Sequence, residues 1–280
     1  DYWARFWSGG GAIDLSASRD PRAAELERRI VLSQYLTAIQ CAGSLPPQET
    51  GLTFNSWYGK FHLEMHWWHA AHFALWGRTH LLEKTFAWYR SILPLARETA
   101  RRQGYTGARW PKMVGPDGRE GPSVIAPLLI WQQPHLIHML ELVYRERRDP
   151  QLLKQYQDLV FETAEFMASY ARWEEQKGRY VLGPPLIPAQ ELHPPRTTMN
   201  PTFELAYWRW GLETAQKWRE RLGMPREARW DRVLQHLAAL PVVDGLYMNA
   251  ESDLVTFKDA AKRRDHPTLL AAVGVLPCDG

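Results

Sequence analysis

Residues 60–72 read KFHLEMHWWHAAH, a run that packs His62, His66, His69 and His72, one carboxylate (Glu64) and two tryptophans (Trp67, Trp68) into thirteen positions. On a helix at roughly 100° per residue, His62, His66 and His69 fall in one stripe and His72 lies near its edge. A metal site is geometrically open to them, yet the HExxH spacing is absent and no acidic residue stands at that motif's general-base position. The histidines therefore read as hydrogen-bonding to neighbouring loops or to a substrate, with no metal expected. Two further stretches carry reactive side chains. GARWPKMVGPDGREGPS (107–123) supplies Arg109, Trp110, Lys112 and Glu120; VLGPPLIPAQELHPPRTTMNPTFELAYW (181–208) supplies Glu191, Asn200 and Glu204.

Carboxyls in such loops suit cleavage of a glycosidic bond. That reaction needs a protonated carboxyl at the leaving oxygen and a base or nucleophile across the sugar ring. A proline-walled, partly apolar loop such as PPLIPAQELHPP raises a carboxyl pKa by desolvation, which makes Glu191 the first candidate for general acid. Glu204 and Glu120 follow, and for each the plain alternative is a solvated carboxylate in a turn or a first helical turn. The chain also holds 14 tryptophans in 280 residues. Flat rings stack on the C–H faces of a pyranose, although core packing accounts for such rings equally well.

These residues must be held by helices. Apolar positions recur at helical spacing over 24–43, 64–77, 80–104, 124–148, 149–175, 201–223 and 225–240. Asp149-Pro150 and Asn200-Pro201 read as helix starts, Gly104 and Gly223 as helix ends. Strand signals are confined to GRYVLG (178–183) and GLYMNA (245–250). Long loops at 45–60, 105–123 and 183–200 join the end of one helix to the start of another, and loops of that length in a compact domain are usually functional. The expectation is an all-α fold, an (α/α)6-type barrel of the six-hairpin kind. Residues 1–280 would form one helical-barrel catalytic domain cut at both ends, against which further segments of a longer protein pack.

Composition narrows the partners. At 45% hydrophobic and 23% charged residues the chain is ordinary for a globular protein. A net charge of +3 with scattered basic residues argues against a nucleic-acid surface, and no apolar run approaches the roughly 20 residues of a membrane span. Two cysteines, Cys41 and Cys278, make neither a disulfide framework nor a zinc pattern. The compartment stays open, with a periplasmic or secreted location expected ahead of a cytoplasmic one.

GLTFNSWYGKFHLEMHWWHAAHFALWGR (51–78) resembles a segment of glycoside hydrolase family 65, the maltose, trehalose and kojibiose phosphorylases and related glucosidases. In that family a glycine-rich loop leads into a Trp-Asp-x-Glu stretch whose Asp grips the −1 sugar; Glu64 stands in the place of that Asp, His66 in that of the Glu, and Leu63 replaces the tryptophan. Residues 107–123 resemble the family's Gly-Ala-Arg-aromatic-Pro-Trp-Glu-Ser pocket loop, with Arg109, Trp110 and Glu120 kept and Lys112 in place of Trp. Residues 181–208 resemble the Gly-Pro-Asp-Glu-Tyr loop that carries the general acid. Glu191 takes the acid's place, Gln190 replaces the preceding Asp, and Asn200 opens the next helix. The motifs run in order along residues 2–280, DHPTLLAAVGVLP included.

The resemblance implies an inverting enzyme of carbohydrate metabolism acting on α-linked oligosaccharides or glycosides. Glu191 would be the general acid, with Trp57, Glu64, His66, Trp67, Arg109, Trp110, Lys112 and Asn200 around the sugar. No cofactor is implied; inorganic phosphate would be co-substrate in a phosphorylase. In the family the phosphate-binding serines or the hydrolytic base lie further along the chain, and the departures at Leu63, Lys112 and Gln190 favour a hydrolase. The alternatives are an inverting disaccharide phosphorylase, a catalytically degenerate carbohydrate-binding barrel, a metal enzyme using the 62–72 histidines, and a lyase using Arg109, Lys112 and Arg196 on uronic acids.

Overall fold

Proline and glycine set the helix boundaries. In the computed structural model, which describes residues 1–264 and 266–276, α1 spans Tyr2–Ser8, α2 Ala23–Cys41, α3 Leu63–Leu75, α4 Thr79–Glu83, α5 Phe86–Ser91 and α6 Leu93–Arg102. They are followed by α7 His135–Arg147, α8 Pro150–Tyr170, α9 Thr202–Arg221, α10 Ala228–His236 and α11 Ala271–Gly274. Asp149 caps α8 as expected, its carboxylate accepting the Gln151 N–H at 2.8 Å ahead of Pro150 in the first turn. Gly104 and Gly223 follow α6 and α9 with φ of +85° and +71°. Cys278 lies outside the described residues.

Two expected helices are broken up. The 80–104 run is three short helices; α5 and α6 part because Pro94 has no N–H to bond back into a preceding turn and opens α6 instead, while nothing in the sequence marks the break between α4 and α5. The 124–148 run is helical only from His135, since Pro127 and Pro134 hold the earlier part in turns. Helix α8 stops at Tyr170, and Arg172–Glu174 (β3) pairs antiparallel with Arg179–Val181 (β4), within one of the expected strand segments. The other holds Leu246–Tyr247, which pairs with Val242–Val243. An unexpected pairing joins Phe61–His62 (β1) to Met113–Val114 (β2), so His62 precedes α3 rather than lying on it.

Helices α3, α7 and α9 form a consecutive inner layer, α3 packed on α7 and α7 on α9. Outside them, α4 lies against α3 and α7, α8 against α7 and α9, and α10 against α8 and α9. This alternation of outer and inner helices is the hairpin arrangement of a helical barrel, and the fold is all-α. Its core is aliphatic and aromatic: Ile137, Leu140, Leu159, Val160, Met167, Trp208 and Leu212 are fully buried, each contributing roughly 1.5–3 kcal/mol of transfer free energy. Several tryptophans serve this core with the indole N–H satisfied. Trp208 donates to Met167 O (2.9 Å), Trp110 to Thr163 Oγ1 (2.8 Å) and Trp218 to Glu141 Oε2 (2.7 Å). Among the described residues no helix is long and apolar enough to cross a membrane.

The chain enters each inner helix through a long loop: 42–62 before α3, 103–134 before α7, 171–201 before α9. These loops meet. The Leu63 N–H donates to Lys112 O (2.9 Å), Leu129 bridges to Ile187, and the His135 imidazole is 2.9 Å from Glu64 O. Gly107 anchors the second loop: a Cβ there would sit 2.3 Å from Phe166 N, so only glycine lets the loop lie on α8.

Candidate active site

Where these loops meet lies a cavity of about 700 Å³. Its wall includes Trp57, Glu64, Trp68, Lys112, Trp131, Glu191 and Phe203, with residues 266–268, 270, 271, 274 and 275 along another side. Glu64 is in the first turn of α3, where the helix dipole favours a carboxylate. Lys112 immediately precedes β2, fixed by the backbone bond from Leu63. Glu191 stands in a turn closed by its own N–H to Pro188 O (2.8 Å), with φ +63°.

One buried ammonium joins the two carboxylates. Lys112 Nζ is 2.9 Å from Glu64 Oε1 and 2.5 Å from Glu191 Oε1, and Lys112 is only 5% exposed. Burial pushes the Glu64 carboxyl up to about 7 against the pull of Lys112. Burial works against the charge of Lys112 itself, but Glu64 and then Glu191 hold its pKa above the usual lysine value. His62 Nε2 lies 3.5 Å from Glu64 Oε1, yet burial and the charge of Lys112 push its pKa down to about 4. It is a neutral neighbour, not an ion-pair partner. At neutral pH the cluster thus holds a Lys112 ammonium and a Glu64 poised to gain or lose a proton.

Of the expected site residues, Trp57, Glu64, Lys112 and Glu191 line this cavity together. Glu204 sits just behind it, fully buried, accepting the Ala189 N–H at 2.7 Å, and burial pushes its carboxyl up to about 7. The remaining expected residues lie elsewhere. Glu120 lines a separate surface cleft with Glu98, Arg102 and Arg119. Arg109 is buried, donating to Leu129 O and to Gln133 Oε1 (3.4 Å). Trp110 is in the core, and His66 is buried 2.9 Å from the Tyr89 hydroxyl with its pKa pushed down to about 3 by burial. Trp67 packs edge-on against Trp68 and tilted over His138. Asn200 is consumed by the fold: its Oδ1 accepts the Leu182 N–H at 2.8 Å and its amide donates to Glu251 at 2.6 Å.

The other histidines of 62–72 are spent locally. His69 Nε2 reaches Glu49 O (2.8 Å) and His72 Nε2 reaches His69 O (3.0 Å). Among the described residues no three His, Cys, Asp or Glu side chains converge as metal ligands would. The cationic set suggested for uronic acids does not assemble either, because Arg109 is buried in backbone and amide contacts and Lys112 is already doubly paired. Trp131, Phe203 and Glu49 also line the cavity without having been singled out. Trp131 lay in a stretch read as helix interior, and Glu49 carried no motif beyond its place in the flagged 45–60 loop.

No family model and no curated protein matches this chain. Among solved structures, one described as "Putative kojibiose phosphorylase from human microbiome" matches with a TM-score of 0.63 and 12% sequence identity, over 80% of this chain. The match takes in 36% of that chain, so the sequence spans little more than a third of its neighbour's length. The cavity described above is therefore carried on an all-α helical fold similar to that of this neighbour.

Proposed function

We propose that this chain forms the sugar-binding face and supplies the general acid of an enzyme that cleaves an α-linked glycoside. The observation that carries the reading is the cavity itself: Glu64 and Glu191 held by one buried lysine within walls contributed by Trp57, Trp68 and Trp131. A sugar offers apolar faces for such rings and hydroxyls for such carboxylates. The fold likeness to a neighbour described as a kojibiose phosphorylase supports the same direction.

The distances support a division of roles within this reading. Sharing one Nζ at 2.9 and 2.5 Å, the two Oε1 atoms are at most about 5.4 Å apart. An inverting acid–base pair stands roughly 6.5–9.5 Å apart to leave room for water. A retaining pair stands closer but needs the anomeric carbon between its members, and here Lys112 occupies that gap. Glu64 and Glu191 therefore act on one side of the substrate: Glu64 holds a sugar hydroxyl and Glu191 protonates the leaving oxygen. Attack comes from the other side, by base-activated water or, in a phosphorylase, by inorganic phosphate as co-substrate. Hydrolysis is the reading preferred here, and neither route calls for a metal or organic cofactor.

The test is Glu191→Gln in the intact protein, with α-glycosides and disaccharides assayed with and without phosphate. Loss of cleavage of unactivated substrates by about 100-fold or more is expected. Unchanged cleavage removes Glu191 as the acid, and sugar binding without any turnover by the unsubstituted protein would mean a binding barrel instead.

A further inference from the structure

The Lys112 ammonium lies 2.5 Å from Oε1 of Glu191, at hydrogen-bond length from the group assigned above as general acid. The same ammonium touches a second carboxyl group, 2.9 Å away, that is buried deeper: the Glu64 side chain is 8% exposed against 31% for Glu191. We propose, resting on the role given above to Glu191, that Lys112 relays a proton from Glu64 to Glu191, so that Glu64 is the reservoir that recharges the acid. Lys112 acts through Glu191 and is a positioning residue, not one that meets the reacting atoms.

The step balances. An N–H bond of the Lys112 ammonium breaks as an O–H bond forms on Glu191 Oε1, leaving a neutral amine. The Glu64 O–H then breaks and its proton passes to that amine, restoring the ammonium and leaving Glu64 ionised. One proton moves from Glu64 to Glu191, with no change in the charge of Lys112 or of the cluster. Both transfers run along contacts already at hydrogen-bond length. After Glu191 gives its proton to the leaving oxygen, solvent reprotonates Glu64.

The groups facing this path leave it intact. His62, on β1, is neutral near Glu64, and Glu49, from the 45–60 loop, adds negative charge that favours a protonated Glu64. Lys60 lies near enough to His62 to help keep it neutral. Burial holds the Glu64 carboxyl in the range where it is occupied by a proton for a large fraction of the time near neutrality. A purely structural lysine has no need of a second carboxyl that exchanges a proton near neutrality; a relay does.

The discriminating change is Lys112→Arg. A guanidinium keeps the positive charge and can pair with both carboxylates, but it does not give up a proton in proteins. The measurement is the ratio of kcat/KM for an unactivated α-disaccharide to that for the matching 2,4-dinitrophenyl α-glycoside, whose departure needs little acid help. Glu64→Gln is measured in parallel, because an amide cannot supply the proton, and it keeps the test alive if the arginine disturbs folding. Glu191→Gln provides the reference. The relay predicts that Lys112→Arg and Glu64→Gln both lower the ratio by about 100-fold, as loss of the acid does. A ratio within a few-fold of the unsubstituted protein in either well-folded variant overturns the relay while leaving Glu191 as acid. An unchanged ratio in Glu191→Gln overturns the acid assignment itself, and the relay with it.

Discussion

Replacing Glu204 by Gln tests the burial argument on which the site chemistry depends. Glu204 is in the first turn of α9, with no exposed surface, one oxygen accepting the Ala189 N–H and Oε2 without a hydrogen-bond partner. Burial pushes its carboxyl from the usual 4.5 up to about 7. Ionising it in the folded chain therefore requires about 3 kcal/mol more than in the unfolded chain, from 1.36 kcal/mol per tenfold change in the proton equilibrium. The folded state binds the proton more tightly, so the associated stability is fully present below pH 4.5. It declines as pH rises toward 7 and is lost above it. Glutamine does not titrate. Urea denaturation of both proteins at pH 5 and pH 8 should show the difference in unfolding free energy, variant minus parent, rising by about 2–3 kcal/mol in favour of the variant. The comparison cancels the other titrating groups, which the two proteins share. A difference constant to within about 0.5 kcal/mol across that interval would mean that burial does not raise the Glu204 carboxyl.

Three further outcomes follow from the packing and the site. Glu141 is buried and accepts from Trp218 Nε1 and from Arg145 and Arg221, so Glu141→Ala should lower unfolding free energy by about 3 kcal/mol by stranding those donors; a loss below about 1 kcal/mol in chemical denaturation would contradict this. Arg78 ties the N-terminal segment down by donating to Phe6 O, Gly11 O and Gln34, so Arg78→Met should expose residues 1–11 to limited proteolysis, and unchanged protection would count against it. Trp57 lines the cavity half-exposed, so Trp57→Ala should weaken oligosaccharide binding several-fold by calorimetry, the worth of one stacking ring at about 1 kcal/mol, and an unaltered Kd would show that the ring does not touch the sugar.

The helices were legible where spacing and punctuation agreed. Asp149-Pro150 and Gly223 mark real ends, and the apolar periodicity of α8 and α9 marks real helices. It misled where proline cut across a periodic run, at Pro94, Pro127 and Pro134, because apolar spacing persists through a break that only the missing N–H imposes. The loop residues Glu191, Lys112 and Trp57 were readable as lining one cavity because loops into inner helices gather at one end. Arg109, Trp110, His66 and Asn200 carry equally reactive side chains, yet the fold consumes them in Gln133, Thr163, Tyr89 and Leu182. No spacing rule separates a polar group facing a cavity from one satisfying a buried backbone. The bond between Lys112 and two carboxylates 48 and 79 positions away is equally invisible in sequence, since it depends on the β1–β2 pairing and the turn at Pro188.

The central claim, that this cavity holds a sugar against Glu64 and presents its glycosidic oxygen to residue 191, is tested most directly by a crystal structure. The intact protein carrying Glu191→Gln would be soaked with an α-linked disaccharide. A sugar ring should appear inside the cavity formed by Glu64, Lys112 and Trp131, with a hydroxyl within hydrogen-bond distance of Glu64 and the interglycosidic oxygen next to residue 191. A cavity left empty at saturating sugar, or a sugar bound elsewhere with the Glu64–Lys112 pair undisturbed, would contradict it.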